Sequence, residues 1–472
     1  MKMQYGRFED TIAATATLPG TGAITVIRVS GTDALAAVDR VVTFRRGTAA
    51  SAPAQTIKYG TIFRNGAVVD EVLVSVFRAP HSYTGEDSAE ISCHASPYIS
   101  SEILRLLCEA GVRPADPGEF TRRAFVNGKL DLAQAEAVAD VILSKTESSL
   151  RVAQNQLRGG YSSHLKDLRE RLVEMTSLLE LELDFSEEDV EFADRPKLLC
   201  LIDATLSRIN LLTESFRYGN ALRNGVPVAI VGAVNSGKST LLNALLEDDR
   251  ALVSDVAGTT RDTVEETLTL GGILFRFIDT AGLRETSDSV ETMGIDRSYR
   301  KLSEASVVLA VLDLSRPEEE NEAVITDIVS KVDFGHQMLM ILLNKADLLG
   351  DNINVNDNYN YVTIAGNKSV MMHISAKTRF GIETLKDLLI ESQKGLSADS
   401  DETIVTNLRH YEALQKAGKE LEAARDALAS GLPSDLVAED LRQANYHLGS
   451  ILGEVTDEEI LGNIFSKFCI GK

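Results

Sequence analysis

The feature that most constrains the fold of this chain is a glycine-rich loop between an apolar strand pattern and a helical pattern. After the apolar run 226–231, residues 232–239 read GAVNSGKS, and the apolar spacing of STLLNALL then continues as in a helix. Glycines let backbone N–H groups turn towards phosphates, Lys238 can reach the β and γ oxygens, and Ser239 can bind Mg²⁺. The loop predicts an α/β domain with a parallel sheet that binds a nucleoside triphosphate. Its predicted contact residues are Asn235, Ser236, Gly237, Lys238, Ser239 and Thr240.

Two later motifs predict that the base is guanine. The run MLMILL is followed by NKAD (344–347), and the next strand pattern is followed by SAK (375–377). A carboxylate in the first motif can accept from both N1–H and the 2-amino group of guanine, whereas adenine offers neither donor. The predicted base-contacting residues are Asn344, Lys345, Ala346, Asp347, Ser375, Ala376 and Lys377.

The segment between these motifs predicts contacts to the metal and the γ-phosphate. Thr260 in GTTRD offers a hydroxyl to Mg²⁺. Leu283 stands where many regulatory GTPases carry a glutamine, so another group must orient the attacking water, and Glu291 is a candidate. The amide oxygen of Asn235 could hold a monovalent cation beside the phosphates. The residues that end the run ILFRFI and can sense the γ-phosphate are Asp279, Thr280, Ala281 and Gly282.

Patterns along the chain predict three domains, one inserted into another. Residues 1–128 predict an α+β domain, with a hairpin that turns at Asn65-Gly66. Residues 129–223 and 393–472 carry apolar residues at helical spacing, which indicates one helical domain in two parts. Residues 224–392 alternate β-rich runs with helical stretches and predict an inserted α/β domain. The helical stripes, interpreted as a bundle core in preference to a partner-binding coiled coil, are Tyr161, Leu165, Leu168, Leu172, Met175 and Leu179, then Leu414, Ala417, Leu421, Ala424 and Leu428, then Val437, Leu441, Ala444, Leu448 and Ile451.

Charge and cysteine usage exclude several classes of protein. Lys plus Arg number 48 and Asp plus Glu number 70, which gives a net charge of −22. A protein that holds nucleic acid by bulk positive charge is therefore excluded, although a local basic patch is not. The four scattered cysteines form no disulfide framework or zinc motif. With no signal-peptide pattern and no long apolar run, the sequence predicts a cytoplasmic protein in a reducing compartment, away from membranes.

Longer segments resemble the MnmE (TrmE) family of tRNA-modification GTPases. They are DTIAATATLPGTGAITVIRVSG, SYTGED, PGEFTRRAFVNGKLDLAQAEAVAD, GTTRD, DTAGLRE and the C-terminal FCIGK. The resemblance implies a folate-binding N-terminal domain that also drives homodimerisation, and a potassium-stimulated, Ras-like GTPase domain that pairs across the dimer. It further implies a flavoprotein partner, MnmG, in a heterotetramer. Together these modify C5 of the wobble uridine in certain tRNAs, with a one-carbon unit from a tetrahydrofolate derivative in its 5-formyl or methylene form.

The resemblance also implies roles for individual residues. Glu291 matches the residue that positions the hydrolytic water, and Cys469 matches a functional cysteine near the substrate uridine or the folate. His94-Ala95-Ser96 stands where relatives have His-Gly-Gly, so we expect a slightly different turn there. The potassium ligands implied are Asn235, Ser254, Val256 through its backbone carbonyl, and Thr259. The folate contacts implied are Arg28, Glu90, Lys129 and Lys472, whose charges suit the glutamate carboxylates and the donor edge of a pterin.

Two other classes of GTPase remain as alternatives. A ribosome-assembly switch of the Era or Der kind would carry an RNA-binding module, often with a GXXG loop and basic surroundings. A dynamin-like membrane GTPase would carry a basic amphipathic stretch or an apolar tip. The sequence has neither pattern, and its helices are acidic.

Overall fold

A computed structural model describes residues 8–184, 195–246, 266–278, 302–352, 359–393, 404–455, 458–468 and 471. The chain divides into two compact units. The first comprises Met1–Leu143, Ala153–Asn210 and Glu412–Lys472, and the second comprises Ser144–Val152 and Leu211–Tyr411. The second unit thus interrupts the first along the chain, as expected for an inserted domain. The four predicted domain bounds themselves stay predictions.

Helices and strands alternate in the order that the sequence patterns indicate. Within the described ranges the α-helices are α1 (Ala34–Val41), α2 (Pro97–Glu109), α3 (Glu119–Val126), α4 (Leu132–Leu143), α5 (Glu147–Leu157), α6 (Gly160–Asp184), α7 (Arg195–Asn224), α8 (Lys238–Leu246), α9 (Glu318–Val329), α10 (Ile382–Ser392), α11 (Leu408–Ala429), α12 (Ser434–Leu452) and α13 (Glu458–Phe465). The strands are β1 (Ile12–Thr15), β2 (Ile24–Ser30), β3 (Val42–Phe44), β4 (Thr56–Arg64), β5 (Ala67–Phe77), β6 (Ser88–His94), β7 (Arg113–Pro114), β8 (Val226–Val231), β9 (Glu266–Leu270), β10 (Ile273–Ile278), β11 (Val307–Asp313), β12 (Met338–Asn344), β13 (Tyr359–Ile364) and β14 (Asn367–His373). A 3₁₀ helix spans Ala346–Asn352.

The first unit contains a mostly antiparallel sheet in the order β3-β4-β5-β6-β2-β1-β7. Strands β4 and β5 form the predicted hairpin, because Asn65 and Gly66 both have positive φ angles, of 49° and 82°. This is the backbone that a type I′ turn requires. Alternate residues of β5, including Val72, Val74 and Val76, are buried. Helices α1 and α2 cover that face, which completes the predicted α+β domain.

The long helices of the first unit bury their apolar stripes inside the chain itself. Every stripe residue predicted on α6, α11 and α12 is at most 3% exposed. Polar contacts also join α6 to α12, since Arg169 Nε donates to Asn445 Oδ1 at 2.9 Å and Ser434 Oγ donates to Glu182 Oε1 at 3.0 Å. The bundle-core interpretation is therefore confirmed, and a partner helix is not needed to cover these stripes.

The second unit contains a sheet in the order β13-β14-β12-β11-β8-β10-β9. Its inner strands are parallel, and the edge strands β9 and β13 are antiparallel. Successive residues of β8 enter different cores, with Val228 and Ile230 on one face and Ala229 and Val231 on the other. Burial on both faces explains why these strands appear as continuous apolar runs. The carboxyl ends of β8, β12 and β14 meet at one edge, where ligands bind in such sheets.

The search for membrane-spanning helices, confined to the described residues, finds no helix that is long and apolar enough to cross a bilayer.

Candidate functional site

The loop after β8 has the backbone of a phosphate cradle. Gly232 and Gly237 have φ angles of 153° and 98°, and a Cβ on Gly237 would lie 2.2 Å from Asn344 Nδ2. A Cβ on Gly232 would lie 2.2 Å from the carbonyl oxygen of Val311. Asn235 has a φ of 62°, which asparagine tolerates better than most residues. Both glycines of the motif are therefore required by close backbone approach, as a loop that wraps phosphates needs.

Lys238 begins helix α8 and lies across this loop. Its Nζ donates to the carbonyl oxygens of Gly232 at 2.9 Å and Ala233 at 2.8 Å. Burial lowers the pKa of this ammonium group, and the positive charge of Arg316 lowers it further. A phosphate oxygen in the loop would supply the negative charge that the ammonium group lacks here. Ser239 and Thr240 follow in the first turn, where the helix dipole is positive and a serine hydroxyl suits a hard cation such as Mg²⁺.

Asn344, the last residue of β12, joins the phosphate loop to the second predicted base loop. Its Nδ2 donates to Ser236 O at 2.8 Å, and its Oδ1 accepts from Ala376 N at 3.0 Å. The side chain is 2% exposed, so both bonds are shielded from water. The phosphate and base loops are thus held in register by one amide, which no pattern in the sequence could predict.

Asp347 is exposed, but its carboxylate is held by the buried Ser375. The Ser375 hydroxyl donates to Asp347 Oδ1 at 2.6 Å and accepts from Thr378 N at 3.2 Å. Next to this pair, Ala346 N donates to Ile374 O at 3.0 Å, which ties the two loops by their backbones. The structure therefore brings NKAD and SAK together, with a carboxylate oriented for a base that presents N–H donors.

An ion-pair network that the sequence did not predict supports this end of the sheet. Lys345, with a φ of 67°, donates from Nζ to Asp313 Oδ2 at 2.6 Å. Burial alone would raise the pKa of Asp313, but hydrogen bonds from Lys345 and Ser315 outweigh it and hold the pKa below its usual value. Arg316 Nη2 donates to Val234 O in the phosphate loop at 2.7 Å. The position of the DLSR segment after a parallel strand was the signal available for finding it.

Several predicted site residues lie outside the described residues, so their placement stays a prediction. They are Ser254, Val256, Thr259, Thr260, Asp279, Thr280, Ala281, Gly282, Glu291, Cys469 and Lys472.

A second group of charged residues lies on the sheet of the first unit. Arg28 on β2 stands opposite Glu90 on β6 and donates from Nε to its Oε1 at 3.0 Å. The Arg28 guanidinium also lies over the rings of Tyr83 and Phe120, 5.1 and 5.6 Å from their centroids. Its Nη1 donates to Gly471 O at 3.4 Å. The described part of the C-terminal motif therefore reaches the predicted folate residues, and the charged and aromatic groups fit a ligand with carboxylates and a flat ring.

Lys129, the third of these residues, is placed by a neighbouring loop. Its Nζ donates to Pro80 O at 3.0 Å, and its side chain packs where a Cβ on Gly85 would lie. Asn127 Nδ2 donates to Thr84 O at 2.8 Å and fixes the same loop. The described contacts place Lys129 beside the loop that carries Tyr83, without joining it directly to Arg28.

The segment His94-Ala95-Ser96 forms its turn without glycine. Neither Ala95 nor Ser96 has a positive φ, and Ser96 N donates to His94 O at 2.8 Å. His94 Nδ1 lies 2.7 Å from Oδ1 of the buried Asp70. The Ala95 side chain packs against Gly22, where an added Cβ would meet it at 3.6 Å. The departure from the family pattern is therefore accommodated by ordinary backbone angles.

The described cysteines do not form a reactive site. Cys93, Cys108 and Cys200 are free thiols. Burial raises the pKa of Cys93 to about 11, and the nearby Asp70 carboxylate raises it too. Cys93 therefore stays protonated and inert at neutral pH.

The largest described cavity in the second unit is not the nucleotide site. It has a volume of about 400 Å³ and includes Arg217, His336, Met338 and Lys368 in its lining. Met338 begins β12 and Asn344 ends it, so the cavity lies about 20 Å along the strand from the phosphate loop. We base the site on the loop geometry instead, because open phosphate cradles are shallow and polar.

Comparison with known proteins places the whole chain. Residues 11–129 match the family model described as "GTP-binding protein TrmE N-terminus", and residues 132–469 match the model described as "MnmE helical domain". A relative from Christiangramia forsetii, "tRNA modification GTPase MnmE", is 47% identical over 99% of this chain and 100% of its own length. Relatives with the same name from Bacteroides thetaiotaomicron and Flavobacterium johnsoniae are 46% and 47% identical, each over 98% of this chain and over 100% and 99% of their own lengths. This chain therefore belongs to the MnmE family of tRNA modification GTPases.

Proposed function

We propose that this chain hydrolyses GTP as part of an enzyme system that modifies tRNA. The observation that carries the proposal is the amide of Asn344, which joins the phosphate loop to the SAK loop through bonds of 2.8 and 3.0 Å. This arrangement fixes the distance between a phosphate cradle and an oriented carboxylate, Asp347. The names of the relatives, which describe them as tRNA modification GTPases, support the same activity.

The base preference is tested by exchanging the carboxylate. Asp347→Asn keeps the shape but presents an amide donor, which suits the 2-oxo group of xanthine instead of the 2-amino group of guanine. We expect GTP affinity to fall about 100-fold and xanthosine triphosphate to bind in its place. Titration with fluorescent nucleotides measures both affinities, and the exposed Asp387→Asn on α10 is the control. Unchanged GTP binding in Asp347→Asn would contradict the assignment.

We propose that hydrolysis uses Mg²⁺ held by Ser239 and Thr260, and K⁺ held by Asn235, Ser254, Val256 and Thr259. The left-handed backbone of Asn235 supports this proposal, because it turns the residue out of the loop's regular course. Glu291 would position the attacking water. Wild-type rates measured in potassium and in sodium test the cation, and stimulation by potassium should disappear in Asn235→Ala. Equal rates in both salts would count against the potassium site.

We propose that the sheet of the first unit binds a tetrahydrofolate derivative through Arg28, Glu90, Lys129 and Lys472. The stacked rings and the bond from Arg28 to Gly471 O support this site. Calorimetric titration with 5-formyltetrahydrofolate should give binding that weakens about tenfold in Arg28→Ala, because one charge-assisted contact is lost. An unaltered affinity would show that the ligand binds elsewhere.

We propose that the modified nucleoside is the wobble uridine and that the chain acts as a cytoplasmic homodimer with the flavoprotein MnmG. Cys469 would act in this reaction, so Cys469→Ser should abolish modification and leave GTP hydrolysis nearly intact. Mass spectrometry of tRNA nucleosides from cells that lack this chain measures the modification. Intact wobble uridines together with defective ribosomal subunits would favour a ribosome-assembly GTPase instead.

A further inference from the structure

Arg316 connects the loop after β11 to the phosphate loop. Its Nη2 donates to Val234 O at 2.7 Å, and its backbone N–H donates to Asp313 O at 3.1 Å. Its side chain is 34% exposed, and its Nε lies 3.7 Å from Asp313 Oδ2. The guanidinium is thus anchored at the end of β11 while it holds a carbonyl of the neighbouring loop.

The anchor of Arg316 is itself rigid. Asp313 is 3% exposed, and its carboxylate accepts from Ser315 N at 2.9 Å, Ser315 Oγ at 2.6 Å and Lys345 Nζ at 2.6 Å. Lys345 belongs to the NKAD motif. The base loop and the phosphate loop are therefore both attached to Asp313, one through Lys345 and the other through Arg316.

The bond to Val234 O determines the direction of the next N–H group. In a trans peptide the C=O and the N–H point in opposite directions. Because Arg316 holds the carbonyl of Val234, the N–H of Asn235 points away from Arg316. Asn235 adopts a left-handed backbone, with a φ of 62°, which costs energy in a residue other than glycine and needs support from its surroundings.

We propose that Arg316 is a positioning residue for GTP hydrolysis, which fixes the Val234–Asn235 peptide so that the Asn235 N–H faces the bridging phosphate oxygen. Negative charge grows on that oxygen as the γ-phosphate leaves, so a preoriented N–H stabilises the transition state more than bound GTP. The inference rests on the proposed GTPase activity. It adds a residue that no motif of the sequence predicted.

The charge of Arg316 acts in the same direction as its hydrogen bond. The guanidinium is near enough to Lys238 to affect the ionisation of that side chain. Two cations at the phosphate loop attract a polyphosphate more strongly than one. Glu320, 3.5 Å from Arg316 Nη1, is exposed and offsets this charge only weakly.

The test compares steady-state GTP hydrolysis of the full-length wild type with Arg316→Ala. We expect kcat to fall about tenfold while KM changes less than about threefold, because the lost interaction is made mainly in the transition state. Arg316→Lys should recover part of the rate. Millimolar guanidinium chloride should also raise the rate of Arg316→Ala, compared with sodium chloride at equal ionic strength and constant potassium, whereas a variant with general structural damage would not respond.

The matched control is Glu320→Gln, which removes the exposed ion pair of Arg316 but keeps its bond to Val234 O. Its rate should equal that of the wild type. A wild-type rate in Arg316→Ala, or a purely KM-based loss, would overturn this inference alone. A tenfold loss that neither lysine nor guanidinium relieves would also overturn it. Absence of GTP hydrolysis in the wild type would overturn the proposed function as well.

Discussion

The two sheets of this protein hold their candidate sites by different means. The parallel sheet of the second unit builds a phosphate cradle from backbone, with glycines at positions where an added Cβ would lie 2.2 Å from another atom. The antiparallel sheet of the first unit builds its site from side chains, with Arg28 and Glu90 meeting across β2 and β6. A backbone site is written in consecutive residues, whereas a side-chain site depends on pairing between distant segments. The first kind can be found by motif, and the second needs the fold.

A methyl group in the cradle should have the largest effect. Gly237→Ala places a Cβ 2.2 Å from Asn344 Nδ2 at a φ of 98°. Strain and overlap together exceed about 3 kcal/mol, which corresponds to GTP binding about 100-fold weaker. Nucleotide titration measures the loss. Gly366→Ala, which has a φ of 81° and no atom within 4 Å of the added Cβ, should retain normal affinity. Equal losses in both variants would show that backbone strain alone, without the close approach, explains the effect.

The buried arginine of the first unit comes next. Arg123 is 0% exposed, and its Nη2 donates to Asp10 Oδ1 at 2.7 Å and Glu119 Oε1 at 2.9 Å. Arg123→Met leaves these carboxylates without a buried partner, so the first unit should lose about 3 kcal/mol of unfolding free energy. Urea unfolding measures it. Arg105→Met removes a half-exposed partner of Glu102 and should cost less than about 1 kcal/mol.

Nucleotide affinity is the further measurement for Arg123→Met. Since its contacts all lie in the first unit, GTP binding should match that of the wild type. A large loss of GTP affinity would mean that the two sites are not built independently, and the comparison between the two sheets would fail.

Acid should weaken the side-chain network at a defined pH. Burial would raise the pKa of Glu119, but hydrogen bonds from Arg113, the Asp116 backbone and Arg123 hold it below the usual value of 4.5. A lowered pKa in the folded state gives stability that is present above pH 4.5 and is lost as pH falls below it. Hydrogen exchange of α3, measured from neutral pH to about pH 3 and corrected for intrinsic rates, should show this loss. Glu119→Gln should flatten the dependence, and a steep dependence in that variant would refute the assignment.

The smallest effect is expected at the departure from the family pattern. Ala95 has no positive φ, so Ala95→Gly relieves no strain and only adds freedom to the unfolded chain. We expect a loss of about 0.5–1 kcal/mol in unfolding free energy and less than about a twofold change in folate affinity. Calorimetry and urea unfolding measure the two. A marked gain in folate binding would show that Ala95 narrows the pocket.

Much of the fold was predictable because burial leaves a periodic trace. The hairpin at Asn65-Gly66, the apolar stripes of the long helices and the inner strands of the second sheet all agree with their patterns. The edge strands β9 and β13 were missed, although Gly271-Gly272 and Ala365-Gly366 are turn signals with positive φ angles. Edge strands are partly exposed and carry a weaker apolar pattern, so they are harder to recognise.

The sequence by itself determined the phosphate loop, the base motifs and the family, because each is carried by consecutive residues whose chemistry is local. Only the tertiary structure decided that Asn344 joins two loops, that Asp313 anchors both through Lys345 and Arg316, and that Arg28 reaches Gly471. Those contacts join residues up to 443 positions apart. Their partners are chosen by strand order and close packing, which a local pattern of residue types does not record.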